Sequence, residues 1–221
     1  MERYISSTTT LILLLIMSRL ATAGEPVRAL EARRATAPKP ISAFQFISVD
    51  DMVRVLSRDG VTAAQKSSLE RHSASIEGYI LFAEHRHNGT IYRAPGFPNS
   101  ASNGDIRLQI VDAVDNVTNV AKAKGAMPSG VVAVITPWFA LHHPMWRYNP
   151  KAIERFAMSI GDGHPERLLH NTIAQVRVTG WLLYNPAAAH RVKVDRATAW
   201  KIDPVTQIEY QDENGNWKPL R

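Results

Sequence analysis

The segment that decides the fold covers residues 176–210 and reads VRVTGWLLYNPAAAHRVKVDRATAWKIDPVTQIEY. Four residues at its start share one face in the period-two pattern of a half-buried strand: Val176, Val178, Gly180 and Leu182. The glycine within this strand predicts a bend or bulge. Pro186 ends the strand because proline donates no hydrogen bond. A second alternating run follows at residues 198–203, and Pro204 predicts a kink or a sheet edge before the run continues to Tyr210. Such a hairpin needs further strands to be stable.

This segment resembles the C-terminal part of a group of small bacterial exported proteins with an OB-like barrel. The strings VRVTGWLLYNP and RATAWKIDPVTQIEY carry the resemblance, and R-x-T-x-W-x-I-x-P-V is its most specific part. Shorter matches are EGYI at residues 77–80, VITP at 134–137 and HHPMW at 142–146. The resemblance covers residues 70–210 and implies an OB-like fold without implying an activity.

The chain departs from the pattern of that group at three positions. Lys201 and Asp203 stand where the group tends to have Glu and His, and Arg107 stands where a histidine often follows Asp105. The resemblance therefore carries no metal or acid–base role onto these residues.

The N-terminal segment has the layout of a secretory signal peptide. A polar start precedes an apolar run at residues 11–17, and Ala21-Thr22-Ala23 offers a small-x-small cleavage site. Seven apolar residues fall far short of the ~20 that span a bilayer. We therefore expect export to the periplasm or the medium after cleavage near Ala23, with no stable membrane insertion.

Composition excludes several kinds of site. The 221 residues include no cysteine, which excludes disulfides, thiolate zinc sites, cysteine nucleophiles and a lipid-modified cysteine. The formal charge of +6 favours acidic partners such as nucleic acid or an anionic envelope polymer, although many exported proteins are simply basic.

The chain divides into five parts: a signal peptide (1–23), a flexible basic leader (24–40), a short helical segment (41–73), an OB-like barrel (74–211) and a tail (212–221). In the helical segment, Asp50 or Asp51 is predicted to cap a helix ending at Leu56, and Thr62 a second helix ending near His72. An Asn-Gly turn in the tail predicts a small hairpin.

The predicted barrel is mainly β, with five strands in the order β-β-β-α-β-β. Its first three strands are expected at residues 75–84, 105–111 and 131–136, with an irregular segment at 112–125. Asn149-Pro150 predicts a helix start, followed by one apolar stripe that Gly161 ends: Ile153, Phe156, Ala157 and Ile160.

The predicted binding face combines arginines with aromatic rings. OB barrels that bind single strands use stacking rings on a positive surface, which suggests four residues: Arg107, Trp138, Trp181 and Arg196. Most such rings in a small barrel belong to the core, and Arg196 could instead form a structural ion pair with an acid on a neighbouring strand.

A metal site is the second hypothesis. His85 and His87 would share one face of an extended strand and, with Asp105, could gather a metal ion. Together with Glu84, these residues could form the metal site of a phosphodiesterase or nuclease. The alternative is a pair of solvated loop histidines. The chain has no G-x-S-x-G, P-loop, G-x-G-x-x-G or H-E-x-x-H motif, and we predict no cofactor.

The sequence thus favours an exported binding or interaction module without catalysis, for an anionic polymer such as nucleic acid or an envelope glycan. The metal-dependent phosphodiesterase is the alternative, and a scaffold component of the envelope is a third possibility.

Overall fold

The computed structural model describes residues 43–57, 62–85, 105–115, 117–136, 139, 150–161, 167–168 and 173–220. The strands are β1 (Phe44–Phe46), β2 (Ser73–His85), β3 (Ile106–Val111), β4 (Val131–Ile135), β5 (Ala157–Gly161), β6 (Arg167–Leu168), β7 (Val176–Tyr184), β8 (Trp200–Gln211) and β9 (Trp217–Pro219). The α-helices are α1 (Val49–Leu56), α2 (Ala63–Leu69), α3 (Val120–Ala126) and α4 (Pro150–Glu154), with 3₁₀ turns at Met127–Ser129 and Pro186–Arg191.

Five of these strands close into a barrel in the order β2-β3-β4-β8-β7 and back to β2. The pairs are antiparallel except for β4 with β8, which run parallel. With α4 lying in the chain between β4 and β7, the order is β-β-β-α-β-β. The prediction of a mainly β, OB-like five-stranded barrel is therefore confirmed.

The barrel interior is filled by the inward residues of all five strands. Apolar side chains from each strand belong to one buried cluster, for example Ile76, Leu108, Ala133, Val178 and Ile202. The N-terminal helix α1 adds Val49, Met52 and Leu56 to the same cluster, so it completes the core rather than covering the surface.

The pairing of β7 with β8 depends on a glycine. The register between the strands shifts on both sides of Gly180, which confirms the bend predicted there. A Cβ atom at Gly180 would lie 2.2 Å from the carbonyl oxygen of Pro204 and 2.6 Å from Cγ2 of Ile202. Strand β8 runs past Pro204 without interruption, and the Asp203–Pro204 peptide is cis.

The prediction of one helix through residue 160 is wrong in its second half. The helix ends at Glu154, and Ala157–Gly161 forms β5, which pairs in parallel with β2. On its β7 side, β2 is paired only as far as Gly78, so the edge from Ile80 onward is open to β5. Pairing with β5 satisfies the backbone N–H and C=O groups on this edge of β2, which a longer helix would leave unpaired. The tertiary contact therefore overrides the helical spacing of the apolar residues.

Three further local predictions need correction. The segment 112–125 is not wholly irregular, because α3 begins where the Asn119 side chain accepts a hydrogen bond from the Lys122 amide. Helix α1 is capped by Ser48, whose hydroxyl accepts from the Asp51 amide, and not by either aspartate. Helix α2 begins after Thr62 as predicted, with a reciprocal capping box to Gln65, and ends earlier, at Leu69.

The C-terminal hairpin is held to the barrel by the pairing of β9 with β8, by Leu220 in the core and by one arginine. Arg177 on β7 pairs with Glu77 of β2 at 2.7 Å and with Glu209 of β8 at 3.7 Å, and its guanidinium lies 4.0 Å from the ring centre of Trp217. The predicted hairpin is confirmed, since β9 pairs with β8. The predicted signal peptide and basic leader lie outside the described residues. No helix among the residues described here is long and apolar enough to cross a membrane.

Replacing Gly180 by alanine should lower the free energy of unfolding by about 2–3 kcal/mol, because the methyl group meets backbone that has no room to move. The matched control is Gly125→Ala in α3, where a Cβ atom meets nothing within 4 Å. This substitution should leave stability unchanged or raise it by up to about 1 kcal/mol. Urea denaturation followed by tryptophan fluorescence measures both, and equal effects would contradict the close approach.

Candidate functional site

A pocket of about 140 Å³ opens on the outer face of the barrel, beneath the connection between β7 and β8. We call it the arginine pocket. Its charged lining comes from β3 and the residue before it, from β8 and from that connection: Asp105, Arg107, Arg191, Arg196, Lys201 and Asp203. Val132 and Val134 of β4 supply apolar wall between the charged strands. The pocket has the volume of roughly four or five water molecules, enough for one small anionic group.

Three guanidinium groups surround the carboxylate of Asp195 at the edge of this pocket. Arg196 Nε lies 3.2 Å from Oδ1, Arg107 Nη2 lies 3.4 Å from Oδ2, and Arg191 donates to the same Oδ2. The side chains of Arg107 and Arg196 are almost fully buried, whereas that of Arg191 is 43% exposed. Arg191 therefore offers its guanidinium to solvent while the other two form the wall.

The pKa of Asp195 reflects this crowding of cations. Burial opposes ionisation and raises the pKa, but the hydrogen bond and charge of Arg196, with the charges of Arg107 and Arg191, outweigh it and hold the pKa below the ordinary value of 3.8. Asp195 is consequently a carboxylate at neutral pH. The three arginines with Asp195 and with Glu84, whose Oε2 lies 3.8 Å from Arg107 Nη1, carry a formal charge of +1.

A second ion pair forms the floor of the arginine pocket. Lys201 and Asp203 are two apart on β8, and Nζ of the lysine lies 2.5 Å from Oδ2 of the aspartate. They alternate with Trp200 and Ile202, which belong to the core. The pair therefore lies on the outer face, where each charge compensates the other in a buried setting.

The connection is fixed over this face by hydrogen bonds from the barrel. Gln109 Nε2 donates to the carbonyl oxygens of Met127 and Asp195, at 2.9 and 3.1 Å. The Ala197 amide donates to the carbonyl oxygen of Gly130 at 2.7 Å. A Cβ atom at Gly130 would lie 2.6 Å from Gln109 Nε2, so a larger residue there would displace the glutamine. The position of the connection over the pocket is thus fixed by contacts within the chain.

The structure brings together part of the predicted binding face. Arg107 and Arg196 line one pocket, and Arg196 forms an ion pair with its sequence neighbour Asp195. Trp181 lies on β7 opposite Ser73 and is not among the residues lining the arginine pocket. Trp138 lies outside the described residues.

The predicted metal ligands are only partly described. Asp105 lines the arginine pocket, and His85 ends β2 with its backbone opposite Ile106. Glu84 Oε2 lies 3.8 Å from Arg107 Nη1. His87 lies outside the described residues. Within the described part of the chain no three acidic or histidine side chains are placed to hold a metal ion, and the site that includes His87 stays a prediction.

Sequence reasoning did not assign Arg191, Asp195 or Gln109 to the site. The sequence did contain one indication of the site, because polar residues alternate with core residues on two strands. They are Arg107 and Gln109 on β3, and Lys201 and Asp203 on β8. Alternation shows that such residues face outward but not that a connection buries them. Contacts made by that connection decide the burial.

Comparison with known proteins gave no match to a family model, to a curated protein or to a solved structure.

Replacing Asp195 by asparagine should lower the free energy of unfolding at pH 7 by about 1–3 kcal/mol, since three guanidinium groups lose their shared anion. The folded pKa lies below 3.8, so the carboxylate's contribution is complete above that pH and is lost as the pH falls through the lower folded value. The difference between wild type and Asp195→Asn should therefore shrink below pH 3.8.

Urea unfolding between neutral and acidic pH measures this difference. Glu213→Gln, which removes an exposed carboxylate from the C-terminal turn, is the control and should change stability by less than about 0.5 kcal/mol. A stability difference for Asp195→Asn that is the same at every pH would contradict the ion cluster.

Proposed function

We propose that this protein is an exported binding module whose arginine pocket takes one phosphate or carboxylate group of an anionic polymer. The observation that carries the proposal is the cluster of three guanidinium groups, from Arg107, Arg191 and Arg196, around Asp195 at the edge of the pocket. Guanidinium groups bind phosphate and carboxylate through paired, charge-assisted hydrogen bonds.

The position of the pocket supports a binding role. It lies on the outer face of β3 and β4, beside β8 and under the connection from β7 to β8. In OB barrels the corresponding face, bounded by the corresponding connection, binds oligonucleotides and oligosaccharides. This comparison is one of fold, so the argument for an anion depends on the side chains that line the pocket.

The size of the pocket limits what it can recognise. A volume of about 140 Å³ is well below that of sites enclosing whole drug-sized ligands. None of the residues lining it within the described chain is aromatic, so the argument for binding rests on charge and not on base stacking. A polymer would run across the barrel face and place one anionic group between Arg191 and the pocket wall.

The export in this proposal is supported by the signal-peptide pattern at residues 1–23.

Fluorescence polarisation with three labelled polymers tests the proposal: oligothymidylate, polyphosphate and polygalacturonate. At least one should bind at about 50 mM salt and bind more weakly at about 200 mM. The three polymers separate a preference for phosphodiester, phosphate or carboxylate groups. Arg191→Gln should weaken binding severalfold, up to about tenfold, because it removes the most exposed guanidinium of the cluster.

Lys122→Gln is the matched control, because it removes one positive charge from exposed surface on α3, outside the pocket. It should leave the affinity almost unchanged. Absence of binding to all three polymers at low salt, or equal losses in both variants, would overturn the proposal. Cleavage of the oligonucleotide only with added divalent metal, abolished by His87→Ala, would replace it with the phosphodiesterase hypothesis.

A further inference from the structure

A second, larger cavity lies at the opposite end of the barrel. It has a volume of about 970 Å³ and opens where β7 begins and β8 ends, next to the C-terminal hairpin. We call it the end cleft, and its defining residues are Tyr79, Phe156, Gln175, Tyr210, Asp212 and Lys218. None of these residues lines the arginine pocket, which lies where β3 and β8 begin.

The floor of the end cleft is aromatic. Phe156 and Tyr210 have ring centres 4.9 Å apart and planes inclined by 32°, and Tyr79 contributes a third ring. All three side chains are only partly buried. Phe156 and Tyr210 also pack against the main core, which fixes the orientation of their rings. The three rings therefore supply apolar surface to the lining of the end cleft.

The rim of the end cleft is polar but has no net charge. Its ionisable groups balance, with Arg155 and Lys218 against Asp212 and Glu213. Asp212 and Lys218 are 2.7 Å apart, and the same carboxylate accepts hydrogen bonds from the amides of Asn214 and Asn216. The remaining polar lining consists of amide side chains: Gln175, Gln211 and Asn214.

From this lining we propose that the end cleft binds a neutral saccharide chain. A sugar ring has an apolar face of C–H groups, which suits an aromatic floor, and a circumference of hydroxyls, which suits amides and paired charges. A volume of about 970 Å³ leaves room for more than one sugar ring. The balanced rim offers no excess charge to the anionic polymer proposed for the arginine pocket, so the two sites recognise different chemistry.

NMR titration of the ¹⁵N-labelled protein with chitotetraose and with cellotetraose tests this inference. At least one should shift the amide signals of Gln175, Gln211 and Asn214, and the affinity should not depend on salt because neither sugar is charged. Phe156→Leu, which keeps apolar volume but removes a ring, should weaken binding about threefold to tenfold. Asn214→Ala, on the exposed turn, tests the rim without altering the core and should also weaken binding.

The control is Arg191→Gln at the other end of the barrel, which should leave the saccharide affinity unchanged and so separates this inference from the anion site. The inference is overturned if neither sugar moves an end-cleft amide, or if the shifts appear at the arginine pocket instead. Binding that survives both Phe156→Leu and Asn214→Ala unchanged would also overturn it.

Discussion

Closure of the barrel through the parallel pairing of β4 with β8 is the constraint on which the rest of the structure depends. Strand β8 has eight register partners on β7 but only two on β4, at Val132 and Ala133. Ile202 lies between the two seams, with Leu182 on one side and Ala133 on the other. Without this short seam the sheet would be open, and the interior residues would lose the enclosure that buries them.

Closure also creates the arginine pocket. It places Lys201 and Asp203 beside β4, and the connection that leads into β8 must then cross the outer face of β3 and β4. Hydrogen bonds and ion pairs help to hold the connection on this face, since Gln109 and Arg107 both contact Asp195. Buried polar groups of this kind are stable only when each is satisfied, which favours a single fixed position of the connection. The opposite end of the barrel, with its aromatic floor and balanced rim, has a different chemical character.

The fold was largely predictable because period-two patterns identify the first and the last two barrel strands, whereas β4 is a short continuous apolar run, VVAVI. The hairpin at residues 176–210 fixes how the last two strands pair. Prediction failed where one pattern has two readings. The spacing of Ile153, Phe156 and Ala157 fits a helix. Residues 157–161 nevertheless form a strand, because they pair with the open edge of β2. For the site, Arg107 and Arg196 were predicted, but their meeting with Arg191 at Asp195 depends on how the connection folds back. No local sequence pattern predicts how the connection between β7 and β8 folds over the barrel.

The most direct measurement of barrel closure is a NOESY spectrum of the labelled protein, inspected at the backbone protons of Ile202. A closed barrel predicts cross-peaks from Ile202 both to Leu182 on β7 and to Ala133 on β4. An open sheet would keep the first and lose the second. Cross-peaks to Leu182 without any to Ala133 would contradict the account of the barrel and, with it, of the arginine pocket.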